Sequence, residues 1–223
     1  MHYTFDFQSV FAAWPLLLGG TWLTIKLSLT AMVIGLCIAI LGALCKTSGP
    51  KWLRFIVNIY IELIRNTPFL VQLFFFFFGL PAMGVTLSPN TAALIAMFVN
   101  VGAYATEIIR AGIESINRGQ IEAGLALNLS RLQVFRFIIL KPALRAIYPA
   151  LTSQFILLML TSAVVSAISA NDLTSVAAKL QSDTFKSFEI YIVVTAIYLV
   201  LSQLFSLLFR IIYRANFNYP EGR

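Results

Sequence analysis

Glu62, Arg65, Thr67, Pro68 and Gln72 interrupt an apolar stretch that runs from about Phe55 to Leu80. Polar and charged groups are costly inside a bilayer and are kept there for a reason. Glu62 and Arg65 are three apart, so on a helix they can pair on one face. Placed near the inner interface, such a pair would fix the helix position. Pro68 removes a backbone donor and disfavours helix at Thr67. A kink there frees backbone carbonyls, which is tolerable in a membrane only where protein or a cavity covers them. Thr67, Pro68 and Gln72 are therefore candidates to line a solute path. Asn100 and Tyr104 share a face of the next stretch, with Glu107 one turn deeper on roughly that side. Gln154, Thr161 and Ser162 are the polar positions of a later stretch. Such side chains can hydrogen-bond helix to helix or form a polar pocket for a zwitterion.

Bond-making chemistry has poor support. His2 is the only histidine and lies in the terminus. The acidic candidates, Glu62 and Glu107, have neighbouring arginines, so a nucleophile with a base in reach is not apparent. No histidine-based metal cluster is possible. Cys37 and Cys45 are eight apart on one helix, about 12 Å of rise, beyond disulfide reach. No G-x-x-x-x-G-K-[ST] phosphate loop occurs. The chain is thus expected to be no enzyme, with no metal and no cofactor of its own.

The elements that must hold these groups are apolar. Of 223 residues, 59% are hydrophobic and 11% charged, with a mean hydropathy of +0.86. A soluble domain carries about 25% charge, so lipid must cover part of this surface. Five runs are each long enough for the ~20 residues of a span: Leu16 to Leu44, Phe55 to Leu80, Thr91 to Ile116, Ile147 to Ile168, and Phe188 to Tyr213. The first is too long for a signal-peptide core and lacks a charged leader segment. The expected fold is an all-α integral membrane protein with about five transmembrane helices. No linker divides it, so residues 1–223 read as one transmembrane domain.

The net charge of +7 does not imply nucleic acid, because the basic residues sit at the ends of the apolar runs. Lys46, Lys51 and Arg54 follow the first run. Arg110, Arg118, Arg131, Arg136, Lys141 and Arg145 fall between the third and fourth. Arg210, Arg214 and Arg223 follow the fifth. Lys179 and Lys186 stand on the other side. By the positive-inside rule the N-terminus faces out and the C-terminus faces the cytoplasm. Residues 79–90 are then a short external connection, and 169–187 an external segment with a surface helix around Ser175–Gln181. Ala31, Gly35, Ala39 and Ala43 form a small-residue stripe that permits close helix approach, within the subunit or between subunits. No internal or inverted repeat is present.

The long cytoplasmic loop 117–145 is amphipathic. Ile121, Leu125 and Leu129 recur at helical spacing, and Ser130 with Gln133 has the capping-box spacing. Two short helices at an angle are expected, with Pro142 and Pro149 marking the return to the membrane. Such a segment either lies on lipid or docks a cytosolic partner.

GQIEAGLALN in this loop resembles the EAA loop of ABC importer permeases. Three further segments resemble the polar-amino-acid branch, the histidine/glutamate/glutamine type: GGTWLTIKLSLTAMVIG, YIELIRNTPFLVQLFFFFFGLP and NVGAYATEIIRAGIESINRGQ. The four matches are in order and cover nearly the whole chain. The resemblance implies the type I importer transmembrane-domain fold in a bacterial inner (plasma) membrane, multi-pass and surrounded by lipid. It implies that Gly119, Glu122, Ala123, Gly124 and Asn128 form a coupling element that seats in a cytosolic ATPase dimer, where ATP and Mg bind. It also implies a second permease subunit, a periplasmic or extracellular amino-acid-binding protein, and uptake of a polar amino acid. The alternative is a secondary transporter or channel independent of ATP.

Three departures from that pattern bear on function. The glycine of the family's bend is Asn128, which tolerates a left-handed backbone. Leu-Pro-Gln becomes Leu140-Lys141-Pro142. Lys-Asp-Thr-Ser becomes Met159-Leu160-Thr161-Ser162, which favours a specialised partner in a heterodimer over a homodimer. Gln154 stands where members that carry basic amino acids often have an acidic residue. A neutral or acidic substrate is the expectation.

Overall fold

The computed structural model describes residues 5–217; His2 and Arg223 lie outside them. The described residues form helices and turns with no strand. A five-residue helix, α1 (Gln8–Ala12), leads into α2 (Trp14–Ser48), which opens with Pro15 in its first turn. At about 1.5 Å per residue, the 35 residues of α2 exceed a ~30 Å hydrocarbon core. The helix stops at Gly49 and Pro50. Helix α3 (Lys51–Arg65) and α4 (Phe69–Phe74) meet at a bend of 107°. A π segment (Phe75–Gly79) and a 3-10 turn (Leu80–Met83) extend α4.

Helix α5 (Pro89–Glu114) starts where the Ser88 side chain accepts from the Thr91 amide, with Pro89 in the first turn. It packs along α2 more extensively than any other pair. The small-residue stripe lies in that contact: Ala31, Ala39 and Ala43 are fully buried. A Cβ on Gly35 would stand 2.3 Å from Val101 Cγ1 and 3.2 Å from the Phe98 carbonyl oxygen. Only glycine permits this approach, so the stripe serves packing within the subunit.

Helix α6 (Arg118–Ala126) follows, then α7 (Arg131–Gln133), a π segment (Val134–Ile139), α8 (Leu140–Thr161) and a 3-10 segment (Ser162–Ile168). The helix that carries the fourth span therefore starts ahead of the apolar run at Ile147. It runs from Arg131 to Ile168, and Pro142 and Pro149 lie inside α8. Pro142 has no amide to offer and its ring crowds the carbonyl four residues back. A π turn just ahead of it relieves that conflict without ending the helix.

The external segment is docked rather than laid on the surface. Helix α9 (Leu173–Thr184) buries Leu173, Ala177 and Leu180. A Cβ on Gly20 of α2 would stand 3.0 Å from Leu173 Cα. Helix α10 (Ser187–Phe217) closes the fold. Its start is tied to the chain's beginning: the Asp6 amide donates to Glu189 Oε1 at 3.0 Å, and Lys186 pairs with Asp6. At the opposite end, one groove of about 750 Å³ is lined jointly by Leu44, Ile113, Leu140 and Ile212. The ends that carry most of the basic residues thus share one side. Four helices are long and apolar enough to span a membrane, and the bent α3–α4 pair is a fifth.

Candidate functional site

The break between α3 and α4 follows from Thr67-Pro68. Pro68 takes φ −62°, ψ 139°, and α4 starts after it. Bending leaves carbonyls at the end of α3 without helical donors. Side chains replace those donors. Thr67 Oγ1 donates to the Leu63 carbonyl at 2.8 Å. Gln72 Nε2 lies 2.7 Å from the Ile64 carbonyl, 3.0 Å from the Thr67 carbonyl and 2.9 Å from Thr67 Oγ1. Gln72 is buried, and its Oε1 accepts from Asn100 Nδ2 at 3.0 Å. The amide of one residue thus serves as the missing backbone donor and ties the broken span to α5.

Asn100 lies eleven residues beyond Pro89 and fourteen before Glu114, about 16 and 21 Å along α5. The network is therefore near the middle of the membrane. Arg65 lies with its Cζ 5.4 Å from the centre of the Tyr104 ring, a cation–π contact. Arg65 does not pair with Glu62, contrary to the spacing argument, because the Tyr104 ring on the neighbouring helix takes the guanidinium instead. Nor is this pair at the inner interface: Tyr104 is one turn from Asn100. Glu62 is exposed and makes no ion pair among the described residues.

Thr67, Pro68, Gln72, Asn100 and Tyr104 are thus gathered at one place. Gln154, Thr161 and Ser162 are not hydrogen-bonded to them. Gln154 is half-buried and has no side-chain hydrogen bond among the described residues. Ser162 is buried, donates to the Met159 carbonyl at 2.7 Å, and faces the Tyr198 hydroxyl.

That hydroxyl belongs to a cluster the sequence did not single out. Buried Asp172 caps α9, accepting from the Thr174 and Ser175 amides at 3.1 and 3.0 Å. Thr174 Oγ1 and the Tyr198 hydroxyl are 2.9 Å apart, and Thr24 Oγ1 accepts from the Leu173 amide at 3.2 Å. Burial pushes the Asp172 carboxyl above the usual carboxylate range, against the hydrogen bonds it accepts. Glu107 also turns away from the break. It pairs with Lys46 of α2 and with Arg110, which pairs with Glu114. The i, i+3, i+7 spacing of Glu107, Arg110 and Glu114 was legible in the sequence; the link to Lys46, 61 residues away, was not.

At the cytoplasmic end, Asn117 caps α6 by accepting from the Gly119 amide at 2.8 Å. The helix ends in a Schellman motif: Leu129 N donates to the Gly124 carbonyl at 3.1 Å and Asn128 N to the Leu125 carbonyl at 2.9 Å. Asn128 has φ 62°, as that motif requires. Ser130 and Gln133 form the capping box. Gly124 is buried, and a Cβ there would stand 2.4 Å from Ile138 Cδ1. Glu122 and Ala123 face outward. Leu127 and Leu132 are 77% and 74% exposed, so the turn presents apolar side chains and a carboxylate without partners among the described residues.

The comparisons fit this geometry. The model of the family described as "Binding-protein-dependent transport system inner membrane component" matches residues 31–217. The L-cystine transport system permease protein TcyB of Bacillus subtilis (strain 168) is 38% identical over 202 residues, 90% of this chain and 86% of that protein. The glutamine transport system permease protein GlnP of Escherichia coli (strain K12) is 34% identical over 208 residues, 92% of this chain and 95% of that one. A crystal structure of an amino acid ABC transporter with histidines has a TM-score of 0.89 and 39% identity, covering 96% of this chain and all of that one.

Proposed function

Because the chain belongs to the binding-protein-dependent transport system inner membrane components, we propose a path, a coupling site and a set of partners for it. It is the permease component of an amino-acid ABC importer, an inner-membrane protein with several spanning helices. The substrate passes at the broken α3–α4 span, where Thr67, Pro68, Gln72, Asn100 and Tyr104 meet. The observation that carries this is the Gln72–Asn100 bond at mid-membrane depth: it holds open a break in a spanning helix, an arrangement tolerated only where protein or a cavity covers the backbone. Gln154, Thr161 and Ser162 approach the path from the fourth span.

The 117–145 segment passes force from a cytosolic ATPase dimer, which binds ATP and Mg. Gly119, Glu122, Ala123, Gly124 and Asn128 shape the docking surface, and the chain itself hydrolyses nothing. A binding protein delivers the substrate on the outer side. Residues 1–223 work as one transmembrane domain beside a second permease; Met159 and Leu160, in place of polar family residues, favour a heterodimer. Gln154 favours a neutral or acidic amino acid, in keeping with relatives named for glutamine and cystine. The test is to co-express this chain with its ATPase and binding protein, with and without a second permease. ATP hydrolysis stimulated by loaded binding protein only when the second permease is present supports the heterodimer; full stimulation without it makes a homodimer the answer.

A further inference from the structure

Helix α3 has three faces. Ile61 is buried and Tyr60 donates to the Val99 carbonyl of α5 at 2.6 Å, so one face packs on the protein. Trp52, Phe55, Ile56, Ile59 and Leu63 form a second, each between 44% and 66% exposed, suited to lipid. Lys51, Arg54, Asn58, Glu62 and Arg65 recur every three or four residues and form the third, all exposed. This polar stripe climbs from the cytoplasmic end of α2 to the break. Charged groups at such depth face water or protein, not lipid. Glu62 and Arg65, at the end of the stripe next to the break, sit one turn apart and leave each other unpaired.

We propose that Glu62 and Arg65 clamp the backbone of the transported amino acid, Arg65 taking the α-carboxylate and Glu62 the α-ammonium. This rests on the reading of the break as the path. The two charges of an amino acid hang on one carbon, a separation that side chains three apart on a helix can bracket. The contact with the Tyr104 ring places the guanidinium Cζ 5.4 Å from the ring centre, and its N–H groups have no hydrogen bond among the described residues, so they remain available as a fork for a carboxylate. The ring contact also restrains the fork, so less rotamer freedom is lost on binding. The carboxylate of Glu62 supplies the compensating charge that an ammonium needs on leaving water. Together the pair is neutral, matched to a zwitterion. It recognises what all amino acids share and leaves side-chain choice to Asn100, Gln154 and the binding protein.

The experiment uses the complete complex in proteoliposomes, with Cys37 and Cys45 replaced by alanine and a reporter cysteine introduced singly beside the intact pair, Asn58→Cys or Asn66→Cys, both exposed positions. A membrane-impermeant methanethiosulfonate reports water access. A mixture of L-amino acids without thiols or disulfides, glutamine and glutamate among them, is the protecting probe, since cysteine would consume the reagent and cystine would exchange with the reporter thiol; propylamine and propionate are controls that carry one charge each. The clamp predicts labelling at both positions, slowed by the amino acids and by neither control. Labelling that amino acids do not slow overturns the clamp and leaves the path intact. No labelling at either position overturns both. In uptake, Glu62→Gln and Arg65→Gln should each lower the rate at least about tenfold, the scale of one lost charge-assisted hydrogen bond, with the ATPase still bound. The swap E62R/R65E should recover part of it, since a reversed clamp still fits a zwitterion. A swap no better than the worse single variant contradicts the proposal.

Discussion

Gln72 of α4 accepts a 3.0 Å hydrogen bond from Asn100 of α5 while its own amide donates to the Ile64 carbonyl at 2.7 Å. A single side chain thereby closes both sides of the break in the second span. Gln72→Leu keeps the volume and strands carbonyls of α3 and the Asn100 amide. Each unsatisfied buried group costs about 1–3 kcal/mol. Thermal unfolding of the purified complex should fall markedly for Gln72→Leu and less for Asn100→Ala, which removes one bond. Wild-type stability of Gln72→Leu would show that the bend needs no such support.

The cytoplasmic turn separates packing from docking. Gly124→Leu forces a side chain onto Ile138, an overpacking cost of about 1–3 kcal/mol. Asn128→Val puts a β-branched residue at φ 62°, where a left-handed backbone costs L-residues about 1–2 kcal/mol; Asn128→Gly should be nearly neutral. Exposed Glu122 should behave differently. Glu122→Arg is expected to insert and fold normally but to lose ATPase co-purification. Retention of the ATPase at wild-type levels would move the docking surface elsewhere.

Glu107 joins Lys46 and Arg110 between the cytoplasmic ends of α2 and α5, with side chains 17–28% exposed. That is between a surface pair, worth up to about 1 kcal/mol, and a buried one, whose broken form costs about 3–5. Glu107→Leu should destabilise by about 1–3 kcal/mol, and Lys46→Met in the same chain should restore part of it. Additive losses in a double-mutant cycle would mean that the two helices are not coupled through this pair.

Asp172 makes the external end sensitive to pH. Its folded-state pKa is raised by burial, so the folded protein holds the proton more tightly than the unfolded chain. The stability this contributes is present below the ordinary carboxylate range and is lost as pH rises through the raised pKa. Asn accepts at an N-cap about as well. Asp172→Asn should therefore flatten the pH dependence of the unfolding temperature while preserving α9. An unchanged profile would place the titration on another group.

Local signals were legible in the sequence, and contacts between helices were not. Asn128 and the Ser130–Gln133 box are set by residues within one turn, and both form as their types predict. Pro68 marks the break, because the loss of an amide needs no tertiary knowledge. The residue that satisfies the break is another matter, since Gln72 reaches back eight positions to Ile64. The Glu62–Arg65 pair failed because helical spacing cannot see Tyr104 on the adjacent helix. The second short helix of the 117–145 loop is expected to stand apart from the fourth span because Pro142 and Pro149 read as breakers, whereas it runs into that span without a break. A π turn absorbs the first, and long membrane helices tolerate the second. Helix α9 was foreseen at nearly its true place, but its burial against Gly20 depends on a contact about 150 residues distant.

The most direct measurement is uptake by the complete complex in proteoliposomes, with ATP sealed inside and labelled glutamine, glutamate or arginine outside beside the binding protein. Accumulation that requires ATP, favours glutamine or glutamate over arginine, and is abolished by Glu122→Arg is the predicted result. Flux that ignores ATP, or that persists when Glu122→Arg has released the ATPase, would contradict an importer driven through the 117–145 segment.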